Sequence, residues 1–319
     1  MTITDPSGGV ATSVAAPPRT ERAEAAWRKR DRRWGYVFIA PQLIGMLVFV
    51  LGPFAASVAL AFAEWNGLTP LKWVGFDNFA DQLQDELLLR SIVNTLLIAL
   101  ITVPIGLALA IVIAIALERL RTRTLYLIMF FAPVMTSTVA VAMIWQQMLR
   151  KDGLLSGVIA TVFGIDPPDW LGDPRLALIS VCLVTIWSAL GLNVIIYLAG
   201  LQNISPSVIE AARIDGAGPW TLLTKIRLPL LSPVVFFSTV VAVISSLQTF
   251  DTVFILTADA GPDNATRTIV YHIYDLGFGR FEFGPSSAAS VILLAITLTI
   301  TALQFGAQKR FVHYEEGAS

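Results

Sequence analysis

Two groups of polar residues stand out in a chain that is otherwise strongly apolar. The first is scattered through long apolar runs: Thr136, Ser137, Thr138 and Trp145; then Trp187, Gly191, Asn193 and Tyr197; then Ser245, Ser246, Gln248, Thr249 and Asp251. Their chemistry is hydrogen bonding and ring stacking, not bond making. A hydroxyl that leaves water without a new partner costs on the order of a few kcal/mol, so a solute rich in hydroxyls needs polar partners along its path. Polar side chains on lipid-embedded helices turn towards the bundle interior, where such a path would run. Trp145 or Trp187 could stack on the flat face of a ring, and Gly191 would leave room beside it. The same groups serve equally to hydrogen-bond one helix to another. Asn193 and Gln248 are the stronger solute candidates, because a buried amide needs several partners.

The second group is a short polar loop, Glu210 to Pro229, reading EAARIDGAGPWTLLTKIRLP between two apolar runs. Its local pattern predicts two short helices with a glycine break. Ser205 and Pro206 can open the first helix, and Ser207 with Glu210 has capping-box spacing. Ala211 and Ala212 give it a smooth face. Gly216 and Gly218 are placed to end it, Pro219 to start the second helix, and Leu228-Pro229 to stop that one.

No set of residues for covalent or metal chemistry accompanies these groups. The chain has no G-x-x-x-x-G-K-[ST] sequence, no H-E-x-x-H and no G-x-S-x-G, so it is not expected to hydrolyse ATP itself. Its two histidines, His272 and His313, are far apart and read as solvated loop and tail residues. The lone Cys182 lies in an apolar run and reads as a small buried residue. No metal and no cofactor is expected in this chain. Any uphill movement of solute must draw on a partner or an ion gradient.

The elements that must position these groups follow from composition. Of 319 residues, 55% are hydrophobic and 14% charged, with a mean hydropathy of +0.70. Soluble domains carry about 25% charged residues, so the expected solvent is lipid. A net charge of -1 gives no global field for nucleic acid. Six apolar runs reach the roughly 20 residues a span requires: 36–62, 92–117, 125–148, 176–201, 231–256 and 286–307. The expected fold is an all-α membrane protein of six transmembrane helices. Gly106, Ala110 and Ala114 give the second run a small face for close helix contact. Pro41 and Pro53 are expected to kink the first run or mark its ends. That run is too long for a signal peptide, although Ala61-Phe62-Ala63 imitates a cleavage site.

Loop charge sets the expected orientation. Fifteen of the 22 basic residues fall on one side: the cluster from Arg19 to Arg33, then Arg119, Arg121 and Arg123, then Arg213, Lys225 and Arg227, then Lys309 and Arg310. Seven fall on the other, which is also acidic. Residues 1–35 are expected to be a disordered, basic cytoplasmic tail and 309–319 a second cytoplasmic tail, flanking a membrane domain at 36–308 whose 205–230 loop faces the cytoplasm. The opposite loops carry Trp65, Trp73, Phe76 and Trp170, which suit a membrane interface.

The spacing Glu210-Ala211-Ala212, Gly216, Ile226 and Leu228-Pro229 resembles the coupling loop of binding-protein-dependent ABC importer permeases. The stretches 124–145, 196–218 and 247–257 extend the resemblance to the maltose-type, carbohydrate-importing branch, over residues 36–308. The chain departs from that branch after Thr257, where Ala258-Asp259-Ala260-Gly261-Pro262 replaces a glycine pair and proline. The resemblance implies a type I importer fold and a heteromeric complex in the bacterial cytoplasmic membrane. Its partners would be a paralogous permease, two ATPase subunits holding ATP and Mg, and an extracytoplasmic solute-binding protein. It assigns ATPase coupling to Glu210, Ala211, Ala212, Asp215, Gly216, Ile226, Leu228 and Pro229, and sugar contacts near Thr138, Gly191, Ser246 and Thr249. Permeases for polyols or glycerol phosphate are similar. An ion-coupled secondary transporter is the alternative of another class, disfavoured by spans almost free of charge.

Overall fold

The structure is a computed structural model that describes residues 21–311, with side chains from 34 to 309. Of the expected tails at 1–35 and 309–319, residues 1–20 and 312–319, with His313, and the side chains before Trp34 lie outside the described residues, while 21–35, expected to be disordered, is helical. The chain divides after Ala56 into two compact units.

The first unit is helical. Helix α1 (Glu21–Met46) passes into a π-helical turn at Leu47–Leu51, and α2 (Gly52–Leu60) follows and crosses the division. Pro41 and Pro53 therefore sit inside helix and end nothing. A proline removes one N–H and crowds the preceding turn, and the wider turn before Pro53 makes room for its ring. Residues 34–60 are long and apolar enough to span a bilayer.

In the second unit a two-residue hairpin pairs β1 (Ala63–Glu64) with β2 (Lys72–Trp73), antiparallel. Helix α3 (Asp77–Gln84) leads to α4 (Glu86–Glu118), whose first turn is capped by the Asp85 carboxylate accepting from the Leu87 N–H at 2.7 Å. Then come α5 (Arg123–Met135), α6 (Thr138–Leu149) and α7 (Leu154–Phe163). Helix α8 (Pro174–Gln202) starts with Asp173 capping and Pro174 in its first turn. The loop helices α9 (Pro206–Ile214) and α10 (Pro219–Leu222) precede α11 (Leu228–Leu247). Helices α12 (Asp251–Leu256) and α13 (Ile269–Tyr274) lead to α14 (Phe283–Phe311).

Helices α4, α8, α10 with α11, and α14 are long and apolar enough to cross a membrane, making five spans among the described residues with that at 34–60. The third expected run is not a straight span. It is bent by 99° between Met135 and Thr138. Thr136 and Ser137 are extended there, and the Thr136 hydroxyl takes the Ala132 carbonyl at 2.9 Å, competing with the helix ladder. Counting that bent pair as one span gives six. The fifth run is shifted as well. It ends at Leu247, and Asp251 opens a separate short helix beyond a break at Phe250.

The core lies where α4, α8 and α11 meet. Ala110 and Ala114 are fully buried there with Val194, Tyr197, Leu201 and Leu231, and Gly106 faces Ile186 of α8, so the small face of the second run packs helix on helix. Leu100, Leu109 and Val112 of α4 are exposed, as the lipid-facing side of a span requires.

Candidate functional site

The 205–230 loop is built around one left-handed residue. Gly216 has φ +79°. Its N–H donates to the Arg213 carbonyl at 3.1 Å, and the Ala217 N–H to the Ala212 carbonyl at 2.9 Å. These two bonds form a Schellman motif closing α9. Gly218, by contrast, is extended at φ -70° and starts α10. Ser205 holds the N-cap position, but its hydroxyl pairs with that of Ser207 at 2.7 Å, and no side-chain cap forms. The second loop helix does not stop at Leu228-Pro229. It runs through a π-helical turn, Leu223–Arg227, into α11. The wide turn absorbs the Pro229 ring as the one at Leu47–Leu51 does for Pro53. Ile226, Leu228 and Pro229 are accordingly half-buried in the root of a span.

The faces of α9 differ. Ala212 is buried and Ile209 packs on the core. Ala211 lies a helical step away and is exposed with Glu210 and Asp215, so the two alanines do not share a face. The exposed side also carries Ile214, 86% exposed, and Trp220 of α10 is 75% exposed. The sequence pattern did not single these two out. Their signal was two large apolar residues in a loop that should be polar.

A cavity of about 230 Å³ lies among α4, α8 and α11. It brings together Asn193, Ser245 and Ser246 of the expected polar set. It adds Thr102, Thr185, Ser188 and Ser238, which sequence reasoning missed. Thr102 lies midway along α4, and its hydroxyl meets that of Ser246 at 3.3 Å. The Asn193 amide spends one N–H on the Ala189 carbonyl at 3.0 Å. The Thr185 and Ser238 hydroxyls are buried without a hydrogen bond, although that of Ser238 lies towards Tyr197.

The other expected contacts lie elsewhere. The Trp145 and Trp187 rings meet edge to face, 5.4 Å apart. Gly191 leaves no room for a solute, because the backbone of Phe130 fills it. An added Cβ would lie 2.0 Å from the Phe130 carbonyl oxygen. Tyr197 is fully buried in the core. Thr138, Gln248 and Asp251 are exposed. The Thr249 carbonyl accepts the Thr268 hydroxyl at 2.9 Å.

His272 is not a solvated loop residue. It is fully buried on α13, and its Nε2 meets the Gln82 side-chain oxygen at 3.0 Å. The Arg267 guanidinium lies 3.2 Å from Nδ1. Arginine can only donate, so Nδ1 accepts and the proton sits on Nε2. Burial, reinforced by Arg267, lowers the imidazole to about 4. Burial raises the Asp275 carboxyl, but its hydrogen bond with Arg267 and the charges of Arg267 and Arg280 outweigh this and hold it below the usual range.

Residues 88–313 match the family described as binding-protein-dependent transport system inner membrane component. The chain belongs to this family. It is 35% identical to the probable ABC transporter permease protein YesP of Bacillus subtilis, over 90% of this chain and 94% of that one. It is 31% identical to the diacetylchitobiose uptake system permease protein NgcF of Streptomyces coelicolor, over 93% and 90%. A solved bacterial alginate ABC transporter, in complex with an alginate pentasaccharide-bound periplasmic protein, superposes with a TM-score of 0.78 at 25% identity, covering 89% of this chain and 97% of that one. The chain is thus an inner-membrane transport component with the ABC permease fold.

Proposed function

We propose that this chain is the membrane permease subunit of an ATP-driven importer that takes up a sugar, oligosaccharide or related carbohydrate, and that its 205–230 loop seats on an ATPase subunit. The observation that carries the coupling reading is the exposed tip of that loop. Ile214, on the same helix as the exposed Glu210 and Ala211, and Trp220, on the helix after the Gly216 turn, are both exposed. Large apolar groups at the tip of a rigid polar loop are what a partner's groove would bury. The arginine and lysine count supports a cytoplasmic position for this loop and both termini, where ATP is available. ATP and Mg belong to the ATPase.

The solute reading rests on the mid-span cavity. Its lining offers hydroxyls and one amide and, among the described residues, no charged group. That chemistry suits a neutral sugar or polyol better than glycerol phosphate. The cavity is smaller than the roughly 300–1,000 Å³ of typical ligand pockets. A paralogous permease would supply the facing wall, and an extracytoplasmic binding protein would select the solute first. Alternating access then needs only two packings of the helices, biased by the ATPases.

Co-expression tests the assembly. The ATPase co-purifies with the parent permease pair and is lost on Trp220→Asp with membrane insertion intact. Retention of the ATPase by Trp220→Asp would refute the docking surface. A screen of the cognate binding protein against neutral and phosphorylated sugars names the solute.

A further inference from the structure

Two arginines are buried in the described part of the chain, Arg227 and Arg267, and they contact α4 towards its opposite ends, at Glu118 and at Asn94. Arg227 sits in the π-helical turn at the root of the 205–230 loop and pairs with Glu118, the last residue of α4. The pair is largely enclosed, with side chains 9% and 23% exposed. Arg227 stands between Ile226 and Leu228, where an apolar residue would pack without any cost of removing charge from water. Well-packed apolar groups commonly match or exceed such a pair in stability. What an arginine–carboxylate pair adds is direction and a fixed length.

The loop continues covalently into α8 and α11, but its root meets α4 through this pair. Helix α4 has 33 residues, so it is about 50 Å long. Near its other end Asn94 donates to the carbonyls of both Asn264 and Arg267, each at 3.1 Å. The neighbouring Thr95 hydroxyl accepts the Ile269 N–H at 3.0 Å. These bonds hold the segment that contains Arg267 and starts α13. Midway, Thr102 lines the cavity and meets Ser246. One continuous helix, unbroken through Pro104, is therefore gripped by the loop root at one end, touches the cavity at its middle, and holds the 257–285 segment at the other end.

We propose that α4 is the strut that carries movement of the 205–230 loop to the cavity and to the 257–285 segment, with Glu118 and Arg227 as its loop-side positioning residues. This rests on the docking reading of the loop. A tie that merely stabilises the fold would affect assembly. A tie that transmits movement would affect how the loaded binding protein stimulates ATP hydrolysis while assembly stays intact.

The test uses the whole importer in proteoliposomes, with Cys182→Ala and no other native cysteine. Glu118 and Arg227 are both replaced by cysteine and then joined by a short thiol–thiol linker that reductant removes. Without the linker, the ATPase remains bound, while stimulation by the loaded binding protein and uptake both fall at least fivefold. The linker restores at least half of each, and reductant abolishes the gain. Full stimulation in the unlinked complex overturns the proposal, and so does a linked complex that does not recover. Asn94→Leu gives an independent arm, with the same loss of stimulation in an assembled complex; normal stimulation there would overturn the far end of the strut. The docking reading is judged separately by Trp220→Asp. Loss of the ATPase on that change, together with full stimulation in the unlinked cysteine complex, overturns the strut alone.

Discussion

Replacing Gly216 by valine isolates the loop turn from every other contribution. The glycine has φ +79°, and an added Cβ would meet no atom within 4 Å. The change therefore introduces no clash, and its whole cost is conformational. An L-residue forced into the left-handed region loses about 1–2 kcal/mol, and a β-branched one sits at the unfavourable end of that range. That is a factor of roughly 5 to 30 in the population of the Schellman turn. The expected result is a comparable fall in ATPase retained on co-purification at limiting concentration, and in uptake, with membrane insertion unchanged. Gly216→Asn is the internal control, since asparagine tolerates left-handed backbone, and it should lose threefold or less. Equal behaviour of the valine and glycine proteins would refute the link between this turn and docking.

Asn193→Ala and Ser246→Ala each remove a hydrogen-bonding group worth about 0.5–1.5 kcal/mol, so the KM for uptake should rise about 2- to 10-fold while stimulation of the ATPase is largely kept. An unchanged KM in both places the solute outside this cavity. His272 has its imidazole lowered from 6.5 to about 4 by burial and by Arg267. The unfolded chain therefore binds the extra proton first, and the stability this group contributes is complete above pH 6.5 and lost as pH falls towards 4. The loss is roughly 3 kcal/mol at most, and thermal melts of the detergent-solubilised protein should show it weakened in His272→Gln; an equal pH slope in both proteins contradicts the buried neutral imidazole. Gly191→Ala places a methyl carbon against the Phe130 carbonyl, an overpacking that costs about 1–3 kcal/mol, and should lower thermal stability; an unchanged melt would contradict the close approach of α5 and α8.

The spans and the loop turn were legible because each rests on a local signal. Apolar length marks a span whatever it packs against, and Gly216 marks a left-handed turn by its own backbone freedom. The small face of α4 was legible for a similar reason, since Gly106, Ala110 and Ala114 recur at helical spacing. The 99° break at Thr136–Ser137 was not, because the residues there are polar enough for a break and for an intact helix alike. The continuity of helix through Pro229 depends on a π-helical turn that leaves no mark in composition. His272 read as a loop residue because its burying partners, Gln82 and Arg267, arrive from other segments. The cavity was half legible. Asn193 and Ser246 stood out as polar groups in apolar runs, whereas Thr102 and Ser238 are single hydroxyls whose facing depends on how three helices pack. Gly191 shows the limit of reading small residues: space beside a glycine serves a neighbouring backbone as readily as a solute.

The central claim is tested most directly by uptake into proteoliposomes that contain this chain, its paralogous permease and the ATPase, with the loaded binding protein outside. The account predicts accumulation of labelled sugar only when ATP and Mg are enclosed on the loop side, abolished by Trp220→Asp and insensitive to dissipation of ion gradients. Uptake by this chain alone, driven by an imposed ion gradient without ATP, would contradict it.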